Sequence, residues 1–456
     1  MRTRLPFAIA LALVSAIAAH SRPHIVVFFT DDLGRLDTTV YGSKDVRTPN
    51  VEILAAMGMT FDNAFVASPA CAPSRAALLT GLMPARNGAE ANHTYPRPGT
   101  PYLTAQLNEL GYEIAVFGKV SHGRAKPEYE FDHYSQPPVN LATNVTKYFD
   151  QREGSGPLCL LVGDRRPHVP FTSDSIYDPE KVSLLPYFID TPATREHRAR
   201  YYSDITGLDQ EFGKVMEEAK RRLGEDIVFV FTSDHGGQWP FGKWNLYDAG
   251  IRAPLIVAWD GQIEPGTRTD AMVSWIDILP TLIDLAGGTV PSGIDGRSFA
   301  RVLKGRTREH RNEIFTTHSG DGVFNIYPIR SIRTKRFKYI LNLLPDHIHT
   351  NHSDILRKDG AGAYWDSWDK AAESDPEAAA IIQRYFQRPA EELFDLEADP
   401  LEQANLVDHP DHHDRAKAMR ARLEQWMEEQ GDQRTVFKDP YPASGPRPDA
   451  AAVGRD

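Results

Sequence analysis

Carboxylates stand just behind two apolar runs of the chain. Asp31 and Asp32 follow residues 24–30 at once, and Asp234 follows residues 226–232 after one serine, Ser233. Both runs are typical of buried parallel strands, and in an open α/β sheet ligands bind beyond the carboxyl ends of such strands. Three carboxylates at one sheet edge repel one another, and a divalent cation usually resolves that repulsion. The aspartates therefore indicate a metal site, although helix caps or solvated turns would explain them equally well on their own.

The chain has only two cysteines, Cys71 and Cys159, which excludes a disulfide framework. Cys159 lies inside an apolar run, as a buried strand cysteine does. Cys71 begins a predicted helix that has Pro73 in its first turn and Arg75 just beyond it. A helix amino terminus offers free N–H groups and positive potential to an oxyanion, and it lowers a thiol's pKa. The segment predicts an anion site in which Arg75 holds either the Cys71 side chain or an anionic ligand, and a buried cysteine in an ordinary helix is the alternative.

The stretch from Cys71 to Gly81 carries a longer pattern, C-x-P-S-R followed by Leu-Thr-Gly. It resembles the signature of the type I sulfatases, a formylglycine-dependent family within the alkaline-phosphatase-like superfamily. The resemblance implies that a separate formylglycine-generating maturation enzyme oxidises Cys71 to formylglycine. The hydrate of that aldehyde would then be the nucleophile that attacks sulfur.

The same resemblance places Asp31, Asp32, Asp234 and His235 at the family's metal-ligand positions, with the modified Cys71 as a further ligand. Calcium is the ion that it implies, with magnesium as the alternative, and both prefer hard oxygen ligands. His235 stands where the family more often has Asn or Gln. An imidazole nitrogen is a less typical ligand for calcium than an amide oxygen.

Four further residues resemble active-site positions of the family: Lys119, His122, His168 and Lys243. The implied roles are charge neutralisation by Lys119, Lys243 and Arg75, and protonation of the leaving group by His168 with help from Lys243. His122 would take the proton of the second hydroxyl and so expel sulfate. Solvated lysines and core histidines are the alternatives for each residue taken singly. Their common order along the chain favours one site.

Several segments of the chain are similar to the heparan N-sulfatase branch of the family. Members of that branch remove sulfate from the amine of a terminal glucosamine. The similar segments are residues 185–192, 327–331, 338–343 and 392–400. That branch has a lysine and histidine one residue closer than Lys119 and His122, and it has Arg and Asn where this chain has Lys243 and His235. The predicted substrate is a glycosaminoglycan-type sugar carrying an N-sulfate or an O-sulfate. The alternatives are an O-sulfatase on an algal polymer, a phosphonate or phosphate ester hydrolase of the same fold, and a non-enzymatic glycan-binding protein.

The elements around these residues alternate between strand and helix patterns. Apolar runs at residues 24–30, 114–117, 158–162, 226–232 and 254–258 are separated by helical periodicity, as in residues 194–223. This alternation predicts an α/β fold, a doubly wound, mostly parallel sheet flanked by helices, over residues 20–310. Half-polar alternating segments then predict a smaller C-terminal α+β subdomain with an antiparallel sheet over residues 311–436. A Pro- and Ala-rich tail over residues 437–456 is predicted to be loosely ordered.

The first 19 residues have the pattern of a secretory signal peptide. Arg2 and Arg4 precede an apolar run that ends in small residues, which predicts cleavage near Ala18 or Ala19 and a periplasmic or secreted protein. An uncleaved membrane anchor is the alternative, but the run is shorter than a membrane span needs. No later segment is apolar over the length of a membrane span, so none is predicted in the mature chain. A formal net charge of −11 argues against a general nucleic-acid binder, which needs a basic surface. A local cationic pocket for an anionic saccharide remains compatible with that charge.

Overall fold

A computed structural model describes residues 22–123, 127–136 and 140–454. The predicted signal peptide, residues 1–19, lies outside the described residues. Among the described helices, none combines the length and the apolar character needed to cross a membrane.

The strands are β1 His24–Thr30, β2 Met59–Phe65, β3 Glu113–Gly118, β4 His133–Ser135, β5 Leu158–Gly163, β6 Ile227–Ser233, β7 Leu255–Trp259, β8 Thr267–Ser274, β9 Ile314–His318, β10 Ile329–Arg333, β11 Phe337–Asn342 and β12 Glu391–Asp395. The helices are α1 Pro49–Met57, α2 Cys71–Thr80, α3 Pro84–Asn87, α4 Leu103–Glu109, α5 Leu141–Gln151, α6 Pro192–Leu223, α7 Asp248–Ile251, α8 Ile278–Leu285, α9 Ala300–Leu303, α10 His352–Leu356, α11 Trp365–Ala372, α12 Pro376–Phe386 and α13 His413–Gln430.

The larger sheet has the strand order β4-β3-β5-β1-β6-β7-β2-β8. All of its pairs are parallel except those that β7 makes with β6 and β2. The central strands are buried on both faces, which is why they read as continuous apolar runs. Phe212 of α6 packs 5.1 Å from both Phe28 of β1 and Phe231 of β6, measured between ring centroids. The predicted fold class is confirmed.

The register of β1 against β6 brings the predicted carboxylates together. Thr30 pairs with Ser233, so the residues after each strand emerge side by side at the carboxyl edge of the sheet. The backbone N–H of Asp234 donates to the carbonyl of Thr30 at 3.2 Å, and the N–H of Asp32 donates to the Asp234 carboxylate at 3.2 Å. Two neighbouring strand ends are therefore fastened to each other at the point where the acidic residues begin.

The second sheet is antiparallel throughout, in the order β12-β11-β10-β9. Helix α13 covers one face of it, and the apolar contact includes Tyr339, Leu393, Leu423 and Trp426. The ring of Trp426 stacks on Phe315 of β9 at 4.4 Å between centroids. The loop between β9 and β10 leads from this sheet toward the larger one.

The described part of the tail is attached to the body of the protein. The N–H of Ile348 donates to the carbonyl of Tyr441, the hydroxyl of Tyr441 donates to the carbonyl of Val323, and Arg447 pairs with Asp369 at 2.9 Å. The Pro- and Ala-rich composition does not reveal these contacts, and the loose order predicted for the tail stays a prediction.

The buried Asp277 anchors the segment that joins the two sheets. It accepts hydrogen bonds from Arg311 at 2.7 and 2.5 Å, and the His310 ring lies 3.1 Å away. Burial alone would raise the pKa of Asp277, but Arg311 and His310 lower it below its ordinary value. Because the pKa is lower in the folded than in the unfolded chain, this group stabilises the fold above about pH 4 and loses that contribution as the pH falls further.

We expect Asp277→Asn to lower the free energy of unfolding by about 3–5 kcal/mol, since it leaves Arg311 buried without its counter-charge. Urea unfolding at neutral pH measures this loss, and the difference from wild type should shrink as the pH falls. Asp270→Asn is the matched control. Its partner Lys335 is more than half exposed, so the expected loss is below about 1 kcal/mol. Equal losses in the two variants would contradict the assignment.

Candidate active site

Cys71 is the first residue of α2 and lies at the carboxyl edge of the larger sheet. Its Sγ is 3.3 Å from Nε2 of His235 and 3.5 Å from a carboxylate oxygen of Asp31. The side chain is buried, as is every residue of α2. Cys71 therefore lies at a helix start beside the acidic strand ends, as the sequence predicts.

The lowered thiol pKa predicted for Cys71 is wrong. Burial raises the pKa of this thiol, and the nearby cations Lys119 and Lys243 do not overcome that effect. Desolvation outweighs the effect of the helix terminus here, because it penalises a thiolate when no water reaches it. Cys71 is thus a protonated thiol in this state, which does not suit an unmodified thiolate nucleophile.

Asp31, Asp32, Cys71 and His235 form a buried group that could hold a metal ion, because their potential ligand atoms all lie within 4.8 Å of one another. Two carboxylates fit a hard divalent cation such as calcium or magnesium, and the oxygen of a modified Cys71 would add a third hard ligand. The His235 nitrogen is the atypical member for calcium. Asp234 lies beside the group, and its carboxylate also accepts from the Asp32 amide.

Three cations neutralise the three carboxylates in this site. Lys119 Nζ lies 2.6 Å from Asp31, and Lys243 Nζ lies 2.9 and 3.0 Å from the two oxygens of Asp32. Arg75 lies 2.9 Å from Asp234 and 3.4 Å from Asp31. The three negative and three positive charges of the site are therefore balanced without an ion, and a bound divalent cation would leave the site net positive for an anionic group.

These ion pairs shift the pKa values of their members. Burial alone would raise the pKa of Asp31, but Lys119, His168 and Arg75 hold it well below its ordinary range. Burial alone would lower the pKa of Lys243, but Asp32 raises it. Asp31 is thus a carboxylate and Lys243 an ammonium at neutral pH.

Arg75 contacts neither Cys71 nor open solvent. Besides the two aspartates, its guanidinium donates to the carbonyls of Lys119 and Val120. Of the two partners predicted for it, the Cys71 side chain is not one to which the guanidinium donates a hydrogen bond, and the anionic ligand stays a prediction. It holds Asp31, Asp234 and the backbone after β3 in one arrangement.

Close backbone packing positions Lys119. It follows β3 directly, and its N–H donates to the carbonyl of Gly163 at 2.8 Å. A Cβ on Gly163 would lie 2.1 Å from the Lys119 carbonyl oxygen, so only glycine permits this approach. The end of β5 thereby directs Lys119 toward Asp31.

Left-handed backbone conformations occur repeatedly around the site. Asp32, His93, Phe241 and Trp244 have φ values between 62° and 68°, a region that costs a non-glycine residue energy. The loop that carries Lys243 is fixed by its N–H bond to the Gly237 carbonyl at 2.9 Å. Such strain is typical of sites in which side chains are held in a required direction.

The structure also brings His122 and His168 to this edge. The pKa of His168 is lowered well below its ordinary value by burial and then by Lys243, and its Nδ1 is 2.6 Å from the Val169 carbonyl. Burial, Lys119 and His93 lower the pKa of His122 to about 3. Both rings are therefore neutral at neutral pH, and all the residues predicted for the site from the sequence lie in one region.

Sequence reasoning missed a chain of contacts behind His122. Its Nε2 lies 2.9 Å from Nδ1 of His93, and Nε2 of His93 lies 3.4 Å from the carboxylate of Asp321 in the β9–β10 loop. The same carboxylate accepts from Asn92 at 2.9 Å and from the Trp244 indole at 2.8 Å. The antiparallel sheet thus contributes a buried carboxylate to the site.

The chain belongs to the sulfatase family: residues 23–288 match the family described as "Sulfatase". Residues 235–349 match the family described as "N-sulphoglucosamine sulphohydrolase, C-terminal". The protein is therefore an enzyme, a sulfuric ester hydrolase, and the family resemblance drawn from the Cys71 segment is confirmed.

Two relatives span most of the chain. An ulvan-active sulfatase from Formosa agariphila is 29% identical over 433 residues, which cover 92% of this chain and 83% of the relative. The N-sulphoglucosamine sulphohydrolase of Homo sapiens is 27% identical over 493 residues, which cover 95% of each chain.

Solved structures share the fold at lower identity. A protein in complex with its substrate D-glucosamine-2-N,6-O-disulfate is 18% identical, covers 92% of this chain and 100% of its own, and has a TM-score of 0.68. A phosphonate monoester hydrolase of Agrobacterium radiobacter is 19% identical, covers 92% of this chain and 98% of its own, and has a TM-score of 0.69. These two structures bear on the fold alone.

Proposed function

We propose that this sulfatase hydrolyses sulfate groups of a sulfated saccharide through a formylglycine formed from Cys71. One observation supports this above the others: the buried Cys71 at the start of α2 meets two carboxylates, a histidine and the cations that balance them. A protonated, desolvated thiol is a poor nucleophile, which favours a reaction through the formylglycine made from Cys71 over one through the thiol itself.

Asp31, Asp32, Asp234 and His235 would hold the divalent cation together with the modified Cys71. In the mature enzyme the hydrated aldehyde supplies the nucleophile, and the cation supplies charge neutralisation for it and for the sulfuryl oxygens. Lys119 and Lys243 add two fixed positive charges beside Asp31 and Asp32, where charge develops on the sulfuryl group.

The leaving group takes its proton from the side of the site that holds His168 and Lys243. Lys243 keeps its proton at neutral pH because Asp32 raises its pKa. The pKa of His168 is lowered in this state, so an arriving anion must raise it before the ring can act as the acid. We assign the transfer to His168, with Lys243 assisting.

His122 is the proposed base, and the contacts behind it determine which nitrogen is free. If Asp321 accepts from Nε2–H of His93, then His93 accepts at Nδ1 from Nε2–H of His122. Nδ1 of His122 is then an acceptor, and it is buried with no hydrogen-bond partner among the described residues. His93 is therefore a positioning residue that holds the base in the required tautomer.

We expect His93→Ala to lower kcat by roughly 10- to 100-fold with KM within about twofold, as loss of an orienting partner does. Steady-state kinetics on a small aryl sulfate measure the split between kcat and KM. His93→Gln, which can still accept from His122, should recover part of kcat. A glutamine variant as impaired as the alanine variant, or an unchanged kcat in both, would contradict the positioning role.

The substrate class that we propose is a glycosaminoglycan-type sugar with an N-sulfate or an O-sulfate. The match of residues 235–349 and the human relative favour an N-sulfated glucosamine. The ulvan-active relative favours the second candidate, an O-sulfated algal polymer. Sulfate release from a panel of N-sulfated glucosamine, 2-O- and 6-O-sulfated units and ulvan oligosaccharides tests both, and no release from any of them by protein with a confirmed aldehyde would contradict saccharide specificity.

A phosphonate or phosphate ester hydrolase is the alternative within the fold. Comparison of kcat/KM on an aryl sulfate, an aryl phosphate and an aryl phosphonate separates the two. We expect the sulfate to be preferred, and a preference for either phosphorus ester would favour the alternative.

We also propose a route of export and maturation for the protein and a division of the chain into domains. Residues 1–19 export the protein to the periplasm or the medium, a formylglycine-generating enzyme modifies Cys71, residues 20–310 form the catalytic domain, residues 311–436 the C-terminal subdomain and residues 437–456 the tail. Mass analysis of the N-terminus of the exported protein tests the cleavage near Ala18 or Ala19.

A further inference from the structure

A strongly basic segment lies on the surface between Arg297 and Arg311. Six of its fifteen residues are Arg or Lys and only Glu309 is acidic, in a chain whose formal net charge is −11. Such a concentration of one sign in an acidic protein creates a local positive potential that the net charge conceals.

Most of this charge makes no ion pair with the residues that the structure describes. Arg311 is the exception, since it pairs with the buried Asp277. The remaining cations of the segment are exposed, and none makes an ion pair with any residue of the described chain; they are Arg297, Arg301, Lys304, Arg306 and Arg308. Unpaired guanidinium groups are free to donate two hydrogen bonds each to a sulfate or carboxylate.

A groove of about 490 Å³ continues this surface toward the second sheet. Arg308 lines it together with Arg415 of α13, whose guanidinium stacks 3.7 Å from the centroid of the Phe337 ring. Arg336 and Lys335 of the β10–β11 turn line the same groove, paired with acidic residues. We call the six exposed and unpaired cations the basic surface: Arg297, Arg301, Lys304, Arg306, Arg308 and Arg415.

The basic surface is separate from the catalytic site. The N–H groups of Asp295 and Gly296, just before Arg297, both donate to the carbonyl of Gly81 at 2.9 Å. Gly81 caps the end of α2 opposite to Cys71, and a helix of ten residues is about 15 Å long. One sulfate group cannot occupy both places, so a ligand of both must be a chain.

We propose that the basic surface binds a sulfated polysaccharide and holds the polymer while another part of it reaches the catalytic site. The identity of this polyanion rests on the proposed function. Exposed cations that are clustered in one segment bind a polyanion mainly by releasing its counter-ions, which gives tight binding at low salt and a steep dependence on salt concentration. Tethering the polymer in this way raises the local concentration of its other sulfate groups.

The test compares the binding of size-defined heparin to two variants of the full chain in a Cys71→Ala background, in which heparin is not consumed. The first variant combines Arg301→Gln, Lys304→Gln, Arg306→Gln and Arg308→Gln. The matched control combines Lys44→Gln, Lys147→Gln, Lys370→Gln and Lys438→Gln, which removes the same charge at exposed, unpaired lysines elsewhere in the described chain.

At about 0.1 M salt we expect the first variant to bind heparin roughly tenfold more weakly, or worse, and the slope of log Kd against log salt to fall by roughly two to three. The control should remain within about twofold of the parent. In a Cys71 background both variants should keep the kcat/KM of the parent on a small aryl sulfate.

Equal heparin affinity of the two variants would overturn the proposal. So would displacement of heparin by double-stranded DNA of equal charge as effectively as by dextran sulfate, because the partner would then be any polyanion rather than a sulfated glycan. Heparin binding is measured without catalysis. The two proposals can therefore fail separately. If the first variant loses heparin binding but the protein that retains Cys71 shows no sulfatase activity, the proposed function is rejected and the basic surface is still a polyanion-binding site.

Discussion

Cys71→Ser is expected to lower turnover of a sulfate ester by at least about ten-thousandfold while the protein folds as the wild type does. The substitution exchanges one small side chain for another in a pocket where Sγ contacts His235 and Asp31. Serine offers one hydroxyl and no aldehyde hydrate, so the second hydroxyl, whose proton we assign to His122, is missing. Steady-state sulfate release measures the loss of turnover, and thermal unfolding measures whether the variant is as stable as the wild type.

Cys159→Ala is the control for Cys71→Ser. Cys159 lies wholly buried in β5, pairs in register with Ile25, and contacts no residue of the site. Its removal should cost stability through a small cavity but leave kcat unchanged. A Cys71→Ser protein with undiminished turnover would contradict the assignment of the nucleophile.

Asp31→Asn is expected to lower kcat/KM by at least about a hundredfold and to abolish stabilisation by calcium. Asp31 is the carboxylate that faces Cys71 Sγ, Lys119 and Arg75 together. An amide there leaves Lys119 without its carboxylate partner, leaves Arg75 with Asp234 alone, and removes one hard ligand of the proposed ion. Thermal unfolding with and without calcium gives a readout that does not depend on activity.

The matched control is Asp37→Asn, which breaks another buried ion pair. Asp37 lies 2.6 Å from Arg198 and makes no direct hydrogen bond to the proposed metal group; the Tyr201 hydroxyl lies 3.1 Å from its carboxylate and 3.0 Å from the Asp32 carbonyl. It should lower the melting temperature yet preserve the upward shift that calcium produces in the wild type. A calcium shift of the same size in the Asp31→Asn protein would show that the ion binds elsewhere.

The strands that carry the site could be predicted because they are buried on both faces. β1 and β6 are continuous apolar runs, and their parallel pairing brings Asp31 and Asp234 to one edge. β2 and β8 escaped prediction because polar residues interrupt them. Asp62 and Asn63 lie within β2, and β8 begins with the half-exposed residues 267–270.

The part of the site contributed by the antiparallel sheet could not be predicted from the sequence. His93 and Asp321 are 228 positions apart and follow no strand pattern, and only the fold brings them within 3.4 Å. The prediction that the pKa of Cys71 is lowered was wrong for a related reason. A helix start is visible in the sequence, whereas the exclusion of water from it depends on what packs around α2.

Mass analysis of the tryptic peptide that spans residues 48–75 tests the central claim most directly. The peptide contains Cys71 and ends at Arg75. In protein that releases sulfate, we predict that the peptide carries the aldehyde in place of the thiol, in a fraction that rises and falls with specific activity across preparations. Full activity in protein whose Cys71 is entirely an unmodified thiol would contradict the account.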